Sequence, residues 1–90
     1  MAKYTGTVHS AEQLGRMIQQ GRLLQGLTQR ELADHLGVTQ KYIYEMESGK
    51  PTKFATRLFE MMRATGAEMT IELDDRPIRD ADTDDERTDG

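Results

Sequence analysis

Residues 28–46 read TQRELADHLGVTQKYIYEM and encode two short amphipathic helices separated by a glycine. Thr28 and Glu31 have the spacing of a capping box, in which each side chain accepts a hydrogen bond from the backbone amide of the other. Gly37 stands where the first of these helices must end, because glycine adopts the left-handed conformation of a helix terminus without a steric clash. The pattern therefore predicts one helix between these two signals and a second helix over residues 40–47.

The polar residues of the second predicted helix form a surface of hydrogen-bond donors and acceptors. The apolar residues recur at helical spacing and are expected to face inward: Leu32, Ala33, Leu36, Ile43 and Met46. The residues expected to face outward are Thr39, Gln40, Lys41, Tyr44 and Glu45. Base edges in a major groove suit this surface, because Gln can pair with adenine, Lys with guanine and Glu with cytosine. The pattern predicts a helix-turn-helix whose second helix reads DNA bases; the alternative is an ordinary solvated helix.

The composition excludes several classes of protein. The chain has 90 residues, no cysteine and two histidines, so we expect one small domain without disulfides, metal or any other cofactor. No apolar run approaches the roughly 20 residues of a membrane span, and the N-terminus lacks a signal-peptide pattern. The scattered glycines form no phosphate-binding loop, and no set of catalytic side chains is recognisable. We expect a soluble, cytoplasmic protein associated with the nucleoid, with no membrane contact and no enzymatic activity.

The net charge of −4 is distributed unevenly along the chain. Residues 74–90 contain eight acidic residues against three arginines, so residues 1–73 carry a net charge of +1. This composition predicts a disordered acidic tail over residues 74–90, which we interpret as a solubilising segment. The alternatives are a segment that folds on a toxin, a degradation tag or a phosphate mimic. The acidic total therefore does not argue against DNA binding by the rest of the chain.

Two further helices are predicted on either side of this pair. Ser10 is a candidate N-cap for a first helix that runs to about Gln25, and Thr52 is a candidate N-cap for a last helix over residues 53–65. The apolar residues of the last helix that we expect to bury against the first are Phe54, Leu58 and Met61 or Met62. Residues 1–9 show no periodicity and are expected to form a flexible arm.

Residues 68–73, EMTIEL, alternate between polar and apolar side chains, as in a strand with one buried face. No second strand is recognisable in the chain, and a lone strand would leave its backbone groups unpaired. The obvious completion is the same strand of a second copy, paired antiparallel about a two-fold axis. The dimer strand is predicted over residues 67–73, with Met69, Ile71 and Leu73 on its apolar face. A further helical turn or the start of the tail is the alternative.

Residues 10–66 resemble the Xre or lambdoid-repressor type of helix-turn-helix domain. The residues that carry the resemblance are Thr28-Gln29, Leu32-Ala33, Gly37-Val38, Thr39-Gln40, Ile43, Glu47 and Gly49-Lys50. The resemblance implies a mainly α fold, a four-helix domain that here continues into one C-terminal β-strand pairing across a dimer. It also implies that Gln29 holds a DNA phosphate and that Arg22 forms a structural ion pair with Glu47. Our candidates for phosphate contacts are Thr28, Gln29, Tyr42, Lys50 and Lys53.

The narrower resemblance is to HipB-type antitoxins, in which a short strand directly follows the fourth helix. It implies a homodimeric transcriptional repressor that binds an inverted-repeat operator in double-stranded DNA, autoregulates its operon and neutralises a HipA-type kinase toxin. The long acidic tail and the bulky Tyr42 and Tyr44 differ from that group. The operator sequences of HipB-type proteins are therefore not assigned to this chain. The alternatives are a stand-alone or phage-type Xre repressor without a toxin partner, and a protein-interaction module on the same fold.

Overall fold

The computed structural model describes residues 3–75. These residues form four helices and two strands: β1 Lys3–Val8, α1 Ala11–Leu24, α2 Gln29–Leu36, α3 Gln40–Ser48, α4 Lys53–Thr65 and β2 Met69–Asp74. Within this part of the chain, no helix is long and apolar enough to cross a membrane. The disordered tail was predicted from residue 74, but Asp74 belongs to β2 and lies opposite Lys3. The rest of the predicted tail, from residue 76, lies outside the described residues.

The helices begin and end at the local signals that the sequence contains. Each begins after a hydroxyl residue whose side-chain oxygen accepts a backbone hydrogen bond: Ser10, Thr28, Thr39 and Thr52. The predicted capping box is present, since Glu31 also accepts a hydrogen bond from the backbone of Thr28 at 2.8 Å. Helix α2 ends at Gly37 in the left-handed conformation, with φ of 72°. These local hydrogen bonds determine the bounds of the helix-turn-helix.

The predicted flexible arm is wrong for most of its length, because Lys3–Val8 form strand β1. This strand pairs antiparallel with β2, from Lys3 opposite Asp74 to Val8 opposite Met69. The expectation that β2 lacks a partner in its own chain is therefore also wrong. The two strands lie at opposite ends of the domain sequence, so the pairing is a non-local one that residue periodicity does not reveal.

The two-stranded sheet packs on α1 through its apolar face. Val8 is the most buried side chain, with 1 % of its surface exposed. A Cβ atom on Gly6 would lie 3.2 Å from the sulfur of Met17, and one on Gly21 would lie 3.2 Å from a methyl group of Leu73. This packing half-buries the apolar residues of β2, namely Met69, Ile71 and Leu73.

Helix α4 turns Leu58 and Met62 toward the domain as expected, but not Phe54. Phe59 is buried, and Leu58 and Met62 are half-buried. Phe54 and Met61 instead lie in solvent, with 77 % and 65 % of their surfaces exposed. Because α4 carries apolar residues on more than one side, periodicity alone could not determine which of them would pack inward.

Candidate nucleic-acid interface

Helices α2 and α3 pack closely through small and branched residues on their facing sides. Ala33 and Ile43 are both buried, as their positions in the sequence predicted. Leu36 was also expected to face inward, but 56 % of its surface is exposed. Between the two helices, the amide of Val38 donates to the carbonyl of Ala33 at 3.0 Å and completes the turn around Gly37. This packing fixes the angle at which α3 leaves α2.

Helix α1 approaches the backbone of α3 so closely that two positions require glycine. A Cβ atom on Gly15 would lie 2.5 Å from the carbonyl oxygens of Met46 and Glu47. Gly49 ends α3 with a φ of +73°, and a Cβ atom there would overlap the backbone of Glu12. This role of Gly15 could not be recognised from the sequence, because a close helix crossing leaves no local pattern.

The predicted ion pair between Arg22 and Glu47 is present and lies inside the domain. The guanidinium Nε lies 2.5 Å from Oε2 of Glu47, and Nη2 lies 3.1 Å from Oε1. Only 9 % of the Arg22 side chain and 3 % of the Glu47 side chain are exposed. Arg22 also donates to the carbonyl of Leu27, and the amide nitrogen of Gln29 donates to Glu47 at 3.0 Å. The pair and its partners thus join the end of α1, the start of α2 and the end of α3.

The surroundings of Glu47 determine its charge state. Burial acts to raise the pKa of this carboxyl, but the hydrogen bonds from Arg22 and Gln29 and the positive charge of Arg22 act in the opposite direction. Their balance holds the pKa of Glu47 below its ordinary value of 4.5. Glu47 is therefore ionised near neutral pH, and the fully paired carboxylate anchors the inner side of α3.

The outer side of α3 is open to solvent. Thr39, Gln40 and Lys41 are exposed at its N-terminal end, and Tyr44 follows one turn after Gln40. Met46 does not face inward as expected, because 44 % of its surface is exposed. The inward position belongs to the buried Glu47. Because a charged residue is not expected to be buried, the spacing of apolar residues predicted Met46, and not Glu47, as the inward residue.

An apolar groove of about 350 Å³ lies beside α3, between α1 and α4. Its lining includes Ile18, Tyr42, Met46, Phe54 and Leu58. On the other side of α3, a polar cavity of about 260 Å³ brings Tyr44 together with Gln29 and Arg16. The sequence pattern does not single out Arg16 as a candidate site residue, because it is one of several polar residues on α1. Only the fold shows that it lies beside two candidate DNA-contact residues.

Comparison with known protein families identifies the family to which this helical domain belongs. The profile of the helix-turn-helix family matches residues 18–70, which is more than half of the chain. The chain belongs to the Xre-type helix-turn-helix family. It is therefore a DNA-binding transcription regulator, and its family is usually non-enzymatic. Comparisons with curated proteins and with solved structures found no match.

In this helix-turn-helix protein, the candidates for phosphate contacts occupy four places. Thr28 and Gln29 lie at the N-terminus of α2, where Thr28 is exposed and Gln29 is half-buried against Glu47. Tyr42 lies on α3 with about half of its surface exposed, and Lys53 is exposed at the start of α4. Lys50 follows the end of α3 and contacts a base-reading candidate, Glu45.

Proposed function

We propose that this protein is a homodimeric repressor that binds an inverted-repeat operator in double-stranded DNA. The observation that carries the proposal is the asymmetry of α3. Its inner side is anchored by the buried ion pair of Arg22 and Glu47, whereas Gln40 and Lys41 are exposed on its outer side. A rigidly held helix with exposed donors and acceptors suits base edges in the major groove, where each good bidentate pair contributes about 1 to 3 kcal/mol of discrimination.

The bases are proposed to be read by Thr39, Gln40, Lys41, Tyr44 and Glu45. Positioning on the phosphates is assigned to Thr28, Gln29, Tyr42, Lys50 and Lys53. Lys50 and Lys53 support this division between base-reading and phosphate-binding residues, because cations that neutralise phosphates provide affinity without sequence preference. Gln29 has a second amide hydrogen beyond the one it donates to Glu47, so its proposed phosphate contact is compatible with that hydrogen bond.

The proposed dimer forms through the outer edge of β2. Among residues 3–75 the sheet has two strands, and β1 covers one edge of β2, which leaves room for the β2 strand of a second copy. Exposed strand edges favour such pairing. The exposed apolar side chains Phe54 and Met61 of α4 further support an association that would cover them. In a two-fold dimer, the two α3 helices would enter major grooves about one helical turn apart.

We further propose that the protein is the antitoxin of a HipBA-like pair and neutralises a HipA-type kinase toxin. The support is the order of elements, in which a short strand directly follows α4, and the resemblance described above. The stand-alone or phage-type repressor remains the alternative. A kinase-like toxin gene beside this gene, and co-purification of its product with this protein, would favour the antitoxin; a lone gene and a protein purified without partner would contradict it.

The DNA-binding proposal is tested by selecting bound sequences from randomised double-stranded DNA with the purified protein. We expect an inverted repeat with half-site centres about 10 base pairs apart, and a dimer in analytical ultracentrifugation. Gln40→Ala should relax the preference at one base position, whereas Lys53→Met should weaken binding to all sequences alike. A single asymmetric half-site or a monomer in solution would contradict the dimer, and equal effects of the two substitutions would contradict the division of roles.

A further inference from the structure

Two of the proposed DNA-contact residues contact each other in the free protein. The ammonium group of Lys50 lies 3.1 Å from Oε2 of Glu45. The end of α3 holds the two residues together, because the backbone amide of Lys50 donates to the carbonyl of Glu45 at 3.1 Å. The carboxylate that would accept a hydrogen bond from a base is thus already neutralised by a lysine that would bind a phosphate.

Both groups remain accessible to DNA. The Lys50 side chain is 60 % exposed and the Glu45 side chain 29 % exposed, and ion pairs with such exposure are weak. A nearby phosphate can therefore compete for the lysine. If Lys50 moves to a phosphate, Glu45 is left as an uncompensated negative charge close to the DNA.

The chemistry of the major groove determines which base can compensate that charge. Guanine presents the acceptors O6 and N7 and thymine presents O4, so both repel a carboxylate. Adenine offers its N6 amino group, but the acceptor N7 lies beside it. Cytosine offers the N4 amino group without a neighbouring acceptor on its own edge. Cytosine is therefore the base that best replaces Lys50 as the partner of Glu45.

We propose that Lys50 is an exchangeable counter-ion of Glu45, which it releases when a cytosine lies opposite Glu45 in the operator. On cytosine, Lys50 moves to a phosphate while Glu45 accepts from N4, so both contacts form. On any other base, Lys50 stays with Glu45 and the phosphate contact is lost. Lys50 thus acts as a positioning residue for base recognition. The inference rests on the proposed function and names the base and the regulation of the same site.

The test uses the selected operator and three variants of it that carry the other base pairs at the position facing Glu45. The position facing Glu45 is identified experimentally as the one at which the Glu45→Gln variant no longer prefers one base pair. Dissociation constants are measured for the wild-type chain, Glu45→Gln, Lys50→Met and the double variant. Lys53→Met serves as the matched control, because Lys53 takes part in no ion pair among those of residues 3–75.

We expect the wild-type chain to prefer cytosine by roughly 5- to 150-fold, and Glu45→Gln to abolish most of this preference. Lys50→Met should bind every operator more weakly but by unequal factors, because the cytosine operator loses the phosphate contact whereas the other operators lose the lysine that neutralises Glu45. On the cytosine operator, Lys50→Met should also reduce the slope of log affinity against log salt by about 1. On the other operators its slope should equal that of the wild type.

Three outcomes would overturn the inference. If Lys50→Met weakened all four operators by the same factor, as Lys53→Met should, Lys50 would be a simple phosphate ligand. If Lys50→Met changed thermal unfolding but neither base preference nor salt slope, its role would be limited to the end of α3. If the wild-type chain bound no DNA, the proposed function would fail and the inference with it, a result that the first two outcomes cannot produce.

Discussion

At the scale of single residues, Glu47 is the charge on which the position of α3 depends. Its carboxylate is 3 % exposed and accepts hydrogen bonds from Arg22 and Gln29. A buried ion pair is not by itself a source of stability, because desolvation opposes the Coulomb attraction. Replacing only one of the two residues is costly, however, because the other charge is then buried without a partner.

Substitution of Arg22 should therefore destabilise the protein more than substitution of the whole pair. We expect Arg22→Met to lower the free energy of unfolding by about 3 to 5 kcal/mol, and Arg22→Met with Glu47→Leu to lower it by clearly less. Urea unfolding of the single and double variants measures both values. A double variant at least as unstable as Arg22→Met would show that packing, and not the unpaired charge, causes the loss.

The lowered pKa of Glu47 also predicts how stability depends on pH. Because the pKa in the folded protein lies below the unfolded value near 4.5, the ionised carboxylate contributes its full stabilisation above pH 4.5. This contribution is lost as the pH falls through the folded pKa. Urea unfolding between pH 6 and pH 3 should thus show a decline that is smaller in Glu47→Gln. Parallel pH profiles for the two proteins would contradict this assignment.

At the scale of elements, the position of α3 depends on how closely α1 can approach it. Gly15 provides that approach, since a side chain there would meet the carbonyl oxygens of Met46 and Glu47. Backbone atoms cannot rotate away as a side chain can. The direction in which α3 presents its outer residues is therefore set partly by a glycine on a different helix.

Gly15→Ala should force α1 and α3 apart. We expect a loss of about 1 to 3 kcal/mol or more in the free energy of unfolding, together with a loss of DNA affinity under conditions where the variant is still folded. Gly21→Ala is the matched control on the same helix, because its Cβ atom would meet only a movable methyl group of Leu73 at 3.2 Å. Equal effects of the two substitutions on DNA affinity would contradict the role of Gly15.

At the scale of the whole molecule, the sheet joins the two ends of the described chain. Strand β1 pairs with β2 along its full length, and Val8 at its end is buried. The first strand is thus part of the domain, and β2 is already half of a sheet before any second copy adds to it.

Substitution of β1 should therefore affect global stability. We expect Val8→Ala to lower the free energy of unfolding by about 1.5 to 3 kcal/mol, whereas the exposed Thr7→Ala should have a smaller effect. Thermal unfolding of both variants measures the difference. A Val8→Ala variant as stable as the wild type would mean that β1 is dispensable, as a flexible arm would be.

Local chemistry allowed much of this protein to be predicted from its sequence. Hydroxyl N-caps, the capping box at Thr28 and Glu31, and the terminal Gly37 act within a few residues, so the helix bounds could be assigned without knowledge of the fold. The pairing of Arg22 with Glu47 followed from the resemblance to the Xre type. The exposed donors Gln40 and Lys41 followed from helical periodicity.

The tertiary structure alone determined the contacts between distant parts of the chain. Pairing of β1 with β2, the approach of α1 at Gly15, and the exposure of Phe54 and Met46 depend on residues that are far apart in sequence. The contact between Glu45 and Lys50 joins residues only five positions apart, but it too required the side-chain positions at the end of α3. Periodicity reports the side of an element on which residues lie, but the packing of other elements decides which side is covered.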